Sequence, residues 1–112
     1  MINNQIILFK FIQINNNVNW YIISYQYTLS EKFIKEFQNK IYWIDISICQ
    51  KLSENFIREF QNKIDYDYIS SNQKLSENFI RKFQDKVDWS QISSNQNLSK
   101  EFKLEFKHKL DD

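Results

Sequence analysis

Cys49 and His108 could in principle make a nucleophile and its base, and each is the only residue of its kind in the 112-residue chain. Cysteine catalysis needs thiol and imidazole within hydrogen-bond reach. These two fall at different phases of the pattern described below and far apart along it, so no such pair is expected. No cluster of His and Cys has zinc-ligand spacing. Glu54, Glu59, Asp65 and Asp67 could supply paired carboxylates for acid and base work, but helix capping and salt pairing account for nearly all of them. The chain has no glycine, so no glycine-rich phosphate loop can form. An enzyme is therefore not expected, and no catalytic, cofactor or metal residue is assigned.

Two sets of residues are chemically suited to binding. Trp20, Trp43 and Trp89, with Tyr66 in the same register, could form a ladder for stacking bases or a peptide. Their spacing of three from Ile23, Ile46, Ile69 and Ile92 favours packing inside the protein instead. Lys35, Arg58, Arg81 and Lys82, with Lys40, Lys63, Lys86 and Lys109, could form a basic stripe that contacts phosphate. Interleaved glutamates and a net charge of +1 make a solvated face of mixed charge the default.

The elements that position these residues come from one stretch written repeatedly: LSEKFIKEFQNKIYWIDIS, LSENFIREFQNKIDYDYIS, LSENFIRKFQDKVDWSQIS and the shorter LSKEFKLEFKHKLDD. The copies begin at Leu29, Leu52, Leu75 and Leu98, a constant step of 23 residues. In the copy from Leu52, apolar residues at Phe56, Phe60 and Ile64 follow at intervals of four, with Ile57 widening the stripe, as on an amphipathic helix. Ser53 is its natural N-cap, and Leu52 with Ile57 has the spacing of a hydrophobic staple. Glu54 with Arg58 and Glu77 with Arg81 are acidic-to-basic pairs at i and i+4. The helix should end near Ile41, Ile64 and Val87, which makes it about 12 residues long, and such a helix is marginal alone. A short second helix, α or partly 3₁₀, fits Trp43–Ile46, Tyr66–Ile69 and Trp89–Ile92, with Asp65 and Asp88 as N-caps.

The fold class expected from this pattern is all-α: a short, right-handed type of helical-repeat solenoid built of 23-residue units. A single domain over 1–112 is expected, with a degenerate capping repeat at 1–28, repeats at 29–51, 52–74 and 75–97, and a truncated capping repeat at 98–112. Truncation of a longer parental array is the rival account of the last copy, which carries Lys103 in place of Ile. In the first section Ile6, Phe11 and Ile14 take the apolar places, and Lys10 stands where the other copies have Phe; helix and strand both remain open for residues 6–12. Phe33, Phe56, Phe79 and Phe102 should line up as one ladder and Phe37, Phe60, Phe83 and Phe106 as a second.

LSENFIREFQNKIDYDYISSNQ and LSENFIRKFQDKVDWSQISSNQ resemble the short Leu-Ser-Glu-x-Phe-Ile, Asp-Lys-Val-x-Trp, Ile-Ser tandem repeats of uncharacterised proteins from giant amoeba-infecting DNA viruses. The resemblance covers about residues 18 to 110 and departs from the pattern after Phe102. It implies an intracellular helical-repeat protein, in a host cell, with a role in host interaction and no catalytic residues to carry over.

The expected function is a non-enzymatic protein-interaction or scaffold module, with weak nucleic-acid binding through the basic stripe as the alternative. Columns left without packing duty, Tyr42, Asp65 and Asp88, and Asp45, Tyr68 and Gln91, are the candidate surface for a protein partner. The lone cysteine points to a cytoplasmic or other intracellular site, and no apolar run reaches membrane-spanning length. The stack ends, Ile2 to Phe11 and Phe102 to Leu110, are expected to give a monomer-to-dimer tendency.

Overall fold

The computed structural model describes residues 4–15 and 17–110, with the backbone alone at 4 and 5. Among them the chain is all-α: α1 (Asn4–Ile14), α2 (Trp20–Gln26), α3 (Glu31–Glu36), α4 (Trp43–Cys49), α5 (Glu54–Glu59), α6 (Tyr66–Asn72), α7 (Glu77–Lys82), α8 (Trp89–Asn95) and α9 (Lys100–Glu105). It forms two compact units, Met1–Gln50 and Lys51–Asp112. α2 packs on α4 in the first unit, and α6 on α8 in the second.

Each Leu-Ser start caps a helix as its residue types require. Ser30, Ser53, Ser76 and Ser99 are extended, and each hydroxyl accepts the N–H three residues on, at 3.1 Å in every case. A cap of this kind is worth about 1 kcal/mol. Asp65 and Asp88 cap α6 and α8 through their carboxylates, as their position foretells. Tyr42 holds the same place on α4 without a side-chain cap bond.

The first helix of each copy is shorter than its apolar periodicity suggests. α3, α5 and α7 have 6 residues each, and the chain leaves the helix at Phe37, Phe60 and Phe83 instead of running on to Ile41, Ile64 and Val87. The reason is local satisfaction of the helix end, where the last carbonyls lack intrahelical donors. Side-chain Nε2 of Gln38, Gln61 and Gln84 donates to the carbonyls of Lys35, Arg58 and Arg81 at 3.1, 2.9 and 2.9 Å. A tight turn follows, closed in the second unit by Lys63 N–H and Ile64 N–H on the same Phe60 carbonyl. The apolar side chains at i+4 still turn inward, so Ile41, Ile64 and Val87 are buried without being helical.

α1 settles residues 6–12 as helix, not strand. It buries Leu8 and leaves Ile6, Phe11 and Ile14 exposed, so the apolar places expected from the register are not the ones used. Lys10, standing where Phe33 stands in the next copy, is exposed, and α1 starts without a Ser cap to hold the common phase. Phe9 reaches Phe37 instead, ring centroids 5.7 Å apart. Ile2, counted with this face in the sequence reading, lies outside the described residues.

Candidate functional site

The residues that link one copy to the next occupy three recurring positions. The first is a buried serine. Ser24 Oγ donates to the Trp20 carbonyl at 2.7 Å and accepts the Tyr42 N–H at 2.9 Å, tying α2 to the start of α4. In the second unit Ser70 Oγ accepts the Asp88 N–H at 3.0 Å in the same way.

A glutamine holds the second position. Gln96 Oε1 accepts the Leu75 N–H at 3.1 Å, while its Nε2 donates to the carbonyls of Ser70 and Gln73 at 2.9 and 2.7 Å. Gln50 repeats this in the first unit on Leu29, Ser24 and Tyr27. A primary amide alone among side chains offers both an acceptor and two donors in one plane. Sequence reasoning passed over these glutamines. The available signal was that Gln50, Gln73 and Gln96 recur unchanged in a turn whose neighbours vary.

The third position is the glutamate after the capping serines Ser53 and Ser76. Glu77 accepts from both Ser99 N–H at 2.6 Å and Ser99 Oγ at 3.0 Å, and Glu54 does the same to Ser76 at 2.6 and 2.9 Å. Glu77 does not form the expected ion pair with Arg81, whose guanidinium instead meets Glu105 at 3.0 Å. The place of Glu105 in the copy before is Lys82, so Arg58 has no such carboxylate to turn to. Glu54 does keep Arg58, at 3.6 Å.

The Ser99 backbone N–H, helped by its hydroxyl and by Arg81, holds the Glu77 carboxyl below its ordinary value of 4.5. A lowered folded-state value means that this stabilisation is complete above the unfolded glutamate pKa and fades as pH falls through the folded one. Urea unfolding of the second unit should accordingly lose stability below about pH 4.5, and Glu77→Gln should flatten that part of the profile. Equal acid slopes in the two proteins would remove this role.

The residues of the aromatic ladder are half-buried and pack on rings of the same chain. Trp20 lies on Phe37 at 5.0 Å, Tyr66 on Phe83 at 6.2 Å and Trp89 on Phe106 at 5.1 Å. The rungs therefore alternate second-helix rings with first-helix phenylalanines, where direct Phe-to-Phe ladders were expected. Within each first helix the phenylalanines pair at i and i+4, for example Phe79 and Phe83 at 4.4 Å. The indoles of Trp43 and Trp89 donate to the Gln38 and Gln84 carbonyls at 3.0 and 2.9 Å, and Tyr66 Oη meets the Gln61 carbonyl at 2.9 Å. Tyrosine replaces tryptophan here because both carry a donor of similar reach. Burial raises the Tyr66 phenol above its ordinary value, which keeps that donor protonated.

Much of the basic stripe is engaged internally. Lys40, Lys86 and Lys109 lie over Trp20, Tyr66 and Trp89 at 5.8, 5.7 and 5.7 Å, and Arg58 and Arg81 over Phe79 and Phe102 at 5.5 and 5.2 Å. Contacts of this kind stabilise by about 0.5–1 kcal/mol at exposed sites. These cations are placed first by rings and carboxylates.

Of the candidate partner residues, Tyr42 and Tyr68 are exposed, while Asp65, Asp88, Asp45 and Gln91 are half-buried. Asp65 and Asp88 are held as caps, and Gln91 Oε1 accepts from Asn95 at 2.8 Å. Tyr42 differs. Its ring meets Tyr21 edge-on at 5.5 Å, and Tyr21 meets Tyr25 at 4.9 Å. Tyr21, Tyr25 and Tyr42 are 48%, 42% and 52% exposed. On α4, Ile44 and Ile48 occupy the register places of Tyr21 and Tyr25 and are exposed as well. The equivalent places on α6 and α8 are Asp67, Ser71, Ser90 and Ser94. Only Tyr42 of this cluster was singled out from sequence, because Tyr21 and Tyr25 lie in the section read as a degenerate repeat.

Around α1, two open grooves of about 750 and 530 Å³ run beside Ile7 and Phe11, and beside Ile6 and Phe9. Neither is enclosed, and neither gathers the converging polar groups of a catalytic pocket. Cys49 is exposed at the end of α4, and His108 is exposed beside Phe106, ring centroids 6.4 Å apart. Among the described residues, no group of three or more His, Cys, Asp or Glu could hold a metal ion, and no helix is long and apolar enough to cross a membrane. Comparison with family models, curated proteins and solved structures finds no match for this chain.

Proposed function

We propose that the chain is a non-enzymatic interaction module, a short helical-repeat solenoid that binds a protein partner through the second-helix face of its first unit. The carrying observation is the exposed row of Tyr25, Tyr21 and Tyr42, in which Tyr21 meets each of the other two rings, with Ile44 and Ile48 in the same register as Tyr21 and Tyr25. Exposed apolar clusters of this kind mark association surfaces, and tyrosine is enriched at interface hot spots. The solenoid reading is supported by the recurrence of the Ser, Gln and Glu links in register. A single array over 1–112, an intracellular setting and kinship with the giant-virus repeat proteins belong to the same reading and rest on the sequence motifs. Nucleic-acid binding is less well supported, since rings and carboxylates already hold Lys40, Lys86, Lys109, Arg58 and Arg81.

Affinity capture from the native cell tests the proposal. The wild-type chain should retain a protein that the Tyr21→Ser, Tyr42→Ser double variant loses, while both keep the same thermal melt. Each side chain removed is expected to weaken the complex by about 1–2 kcal/mol or more. Identical captured sets would place the partner elsewhere or remove it.

A further inference from the structure

The outer face of α9 carries a second, chemically different surface. Lys100, Lys103 and Leu104 follow one another at i, i+3 and i+4 and so share the face of α9 away from Phe102, and Lys107 stands in the turn that follows. Phe102 and Phe106 are buried, whereas the three lysines are exposed and Leu104 is 75% exposed. Among the described residues, none of the three lysines makes an ion pair or lies over a ring.

The register shows how unusual this face is. Lys100 stands where α7 has Glu77, which binds Ser99, and Leu104 where α7 has Arg81, which binds Glu105. Lys103 stands where Ile34, Ile57 and Ile80 are fully buried. The Glu and Arg places that link one copy to the next, and the place of the buried Ile, have thus been changed in charge or polarity, and what remains is three exposed lysines and one exposed leucine.

We propose that this face docks an acidic peptide segment of a partner protein, with carboxylates on Lys100, Lys103 and Lys107 and an apolar side chain on Leu104. Charge complementarity names the sign of the partner, and Leu104 names its class: a peptide supplies an apolar contact that a phosphate backbone does not. Glu101, exposed on the same helix, and Glu105, held by Arg81, flank the lysines and oppose an extended polyanion. This surface belongs to the second unit and the tyrosine face to the first, and its test stands or falls without that reading.

The test is fluorescence anisotropy with a short labelled peptide of Glu and Leu, beside the same peptide with Gln for Glu. The acidic peptide should bind, and replacement of Glu by Gln, or a rise in salt, should weaken it at least about tenfold. Lys100→Glu with Lys103→Glu should abolish binding, and Leu104→Ser should weaken it several-fold. All variants should keep the wild-type melt, because the altered side chains are exposed. Lys74→Glu, exposed outside α9, should have no effect. The proposal is overturned if the acidic peptide does not bind, or if both peptides bind alike. Binding that survives the double reversal also overturns it. So does equal or tighter binding of duplex DNA or phosphatidylserine vesicles that is indifferent to Leu104→Ser, which would give the face to a polyanion. Self-association lost on charge reversal, without peptide binding, would give it to a second copy of the chain.

Discussion

Phe79→Ala is expected to lower the stability of the second unit by about 3–5 kcal/mol, a large share of what a domain of this size possesses. Phe79 has no solvent exposure, stacks on Phe83 at 4.4 Å and carries the Arg58 guanidinium over its face at 5.5 Å. Removing the ring takes away its apolar burial, leaves a cavity and strands a cation that the ring had placed. α7 has only 6 residues and cannot persist without such packing, because helix nucleation is unfavourable and few backbone bonds follow it. Urea denaturation followed through Trp89, which lies in this unit, reads the change directly. A shift under about 1 kcal/mol would mean that the phenylalanines do not organise the core. Phe11→Ala on the exposed side of α1 should stay within about 0.5 kcal/mol and serves as the comparison.

Gln50→Met should be nearly as damaging, although it exchanges a polar side chain for an apolar one of similar volume in a buried place. Gln50 is 3% exposed and serves the Leu29 N–H at 2.9 Å and the Ser24 and Tyr27 carbonyls at 3.2 and 2.7 Å. Methionine fills the space and leaves those backbone groups without their partner. Each buried group so stranded costs about 1–3 kcal/mol, so a loss of roughly 2–4 kcal/mol is expected after partial relaxation. Gln50→Glu separates shape from hydrogen bonding, since the carboxylate keeps the acceptor for Leu29 and loses both donors to the carbonyls. Thermal and urea unfolding of the first unit measure both variants. A methionine variant as stable as wild type would show that water replaces the amide.

Much of the local structure was legible in the sequence. Ser caps, Asp caps and the phase of the buried phenylalanines follow from side chains acting on backbone within a few residues, where spacing determines reach. Helix length was less legible. Periodicity reports which side chains turn inward, and residues such as Ile64 continue to do so through a tight turn; only the position of Gln61 Nε2 on the Arg58 carbonyl shows where the helix stops. The candidate surface was partly legible. Tyr42 could be named because it lacked a packing duty, but its ring contact with Tyr21 joins residues from different copies.

By itself, the sequence determined an all-α chain, its step of 23 residues and the helix starts capped by Ser and Asp, because these depend on short-range chemistry that recurs in register. Tertiary structure decided what the repeated polar residues do. Gln96 could have been a solvated turn residue and Glu77 half of a helix-surface ion pair; instead each reaches 21 to 26 positions along the chain to backbone groups that need a partner. It also decided which lysines lie on rings and which, such as Lys100 and Lys103 on α9, are exposed. The physical reason is the same in each case: a polar side chain bonds whatever unsatisfied group packing brings within about 3 Å, and distance along the chain does not report that.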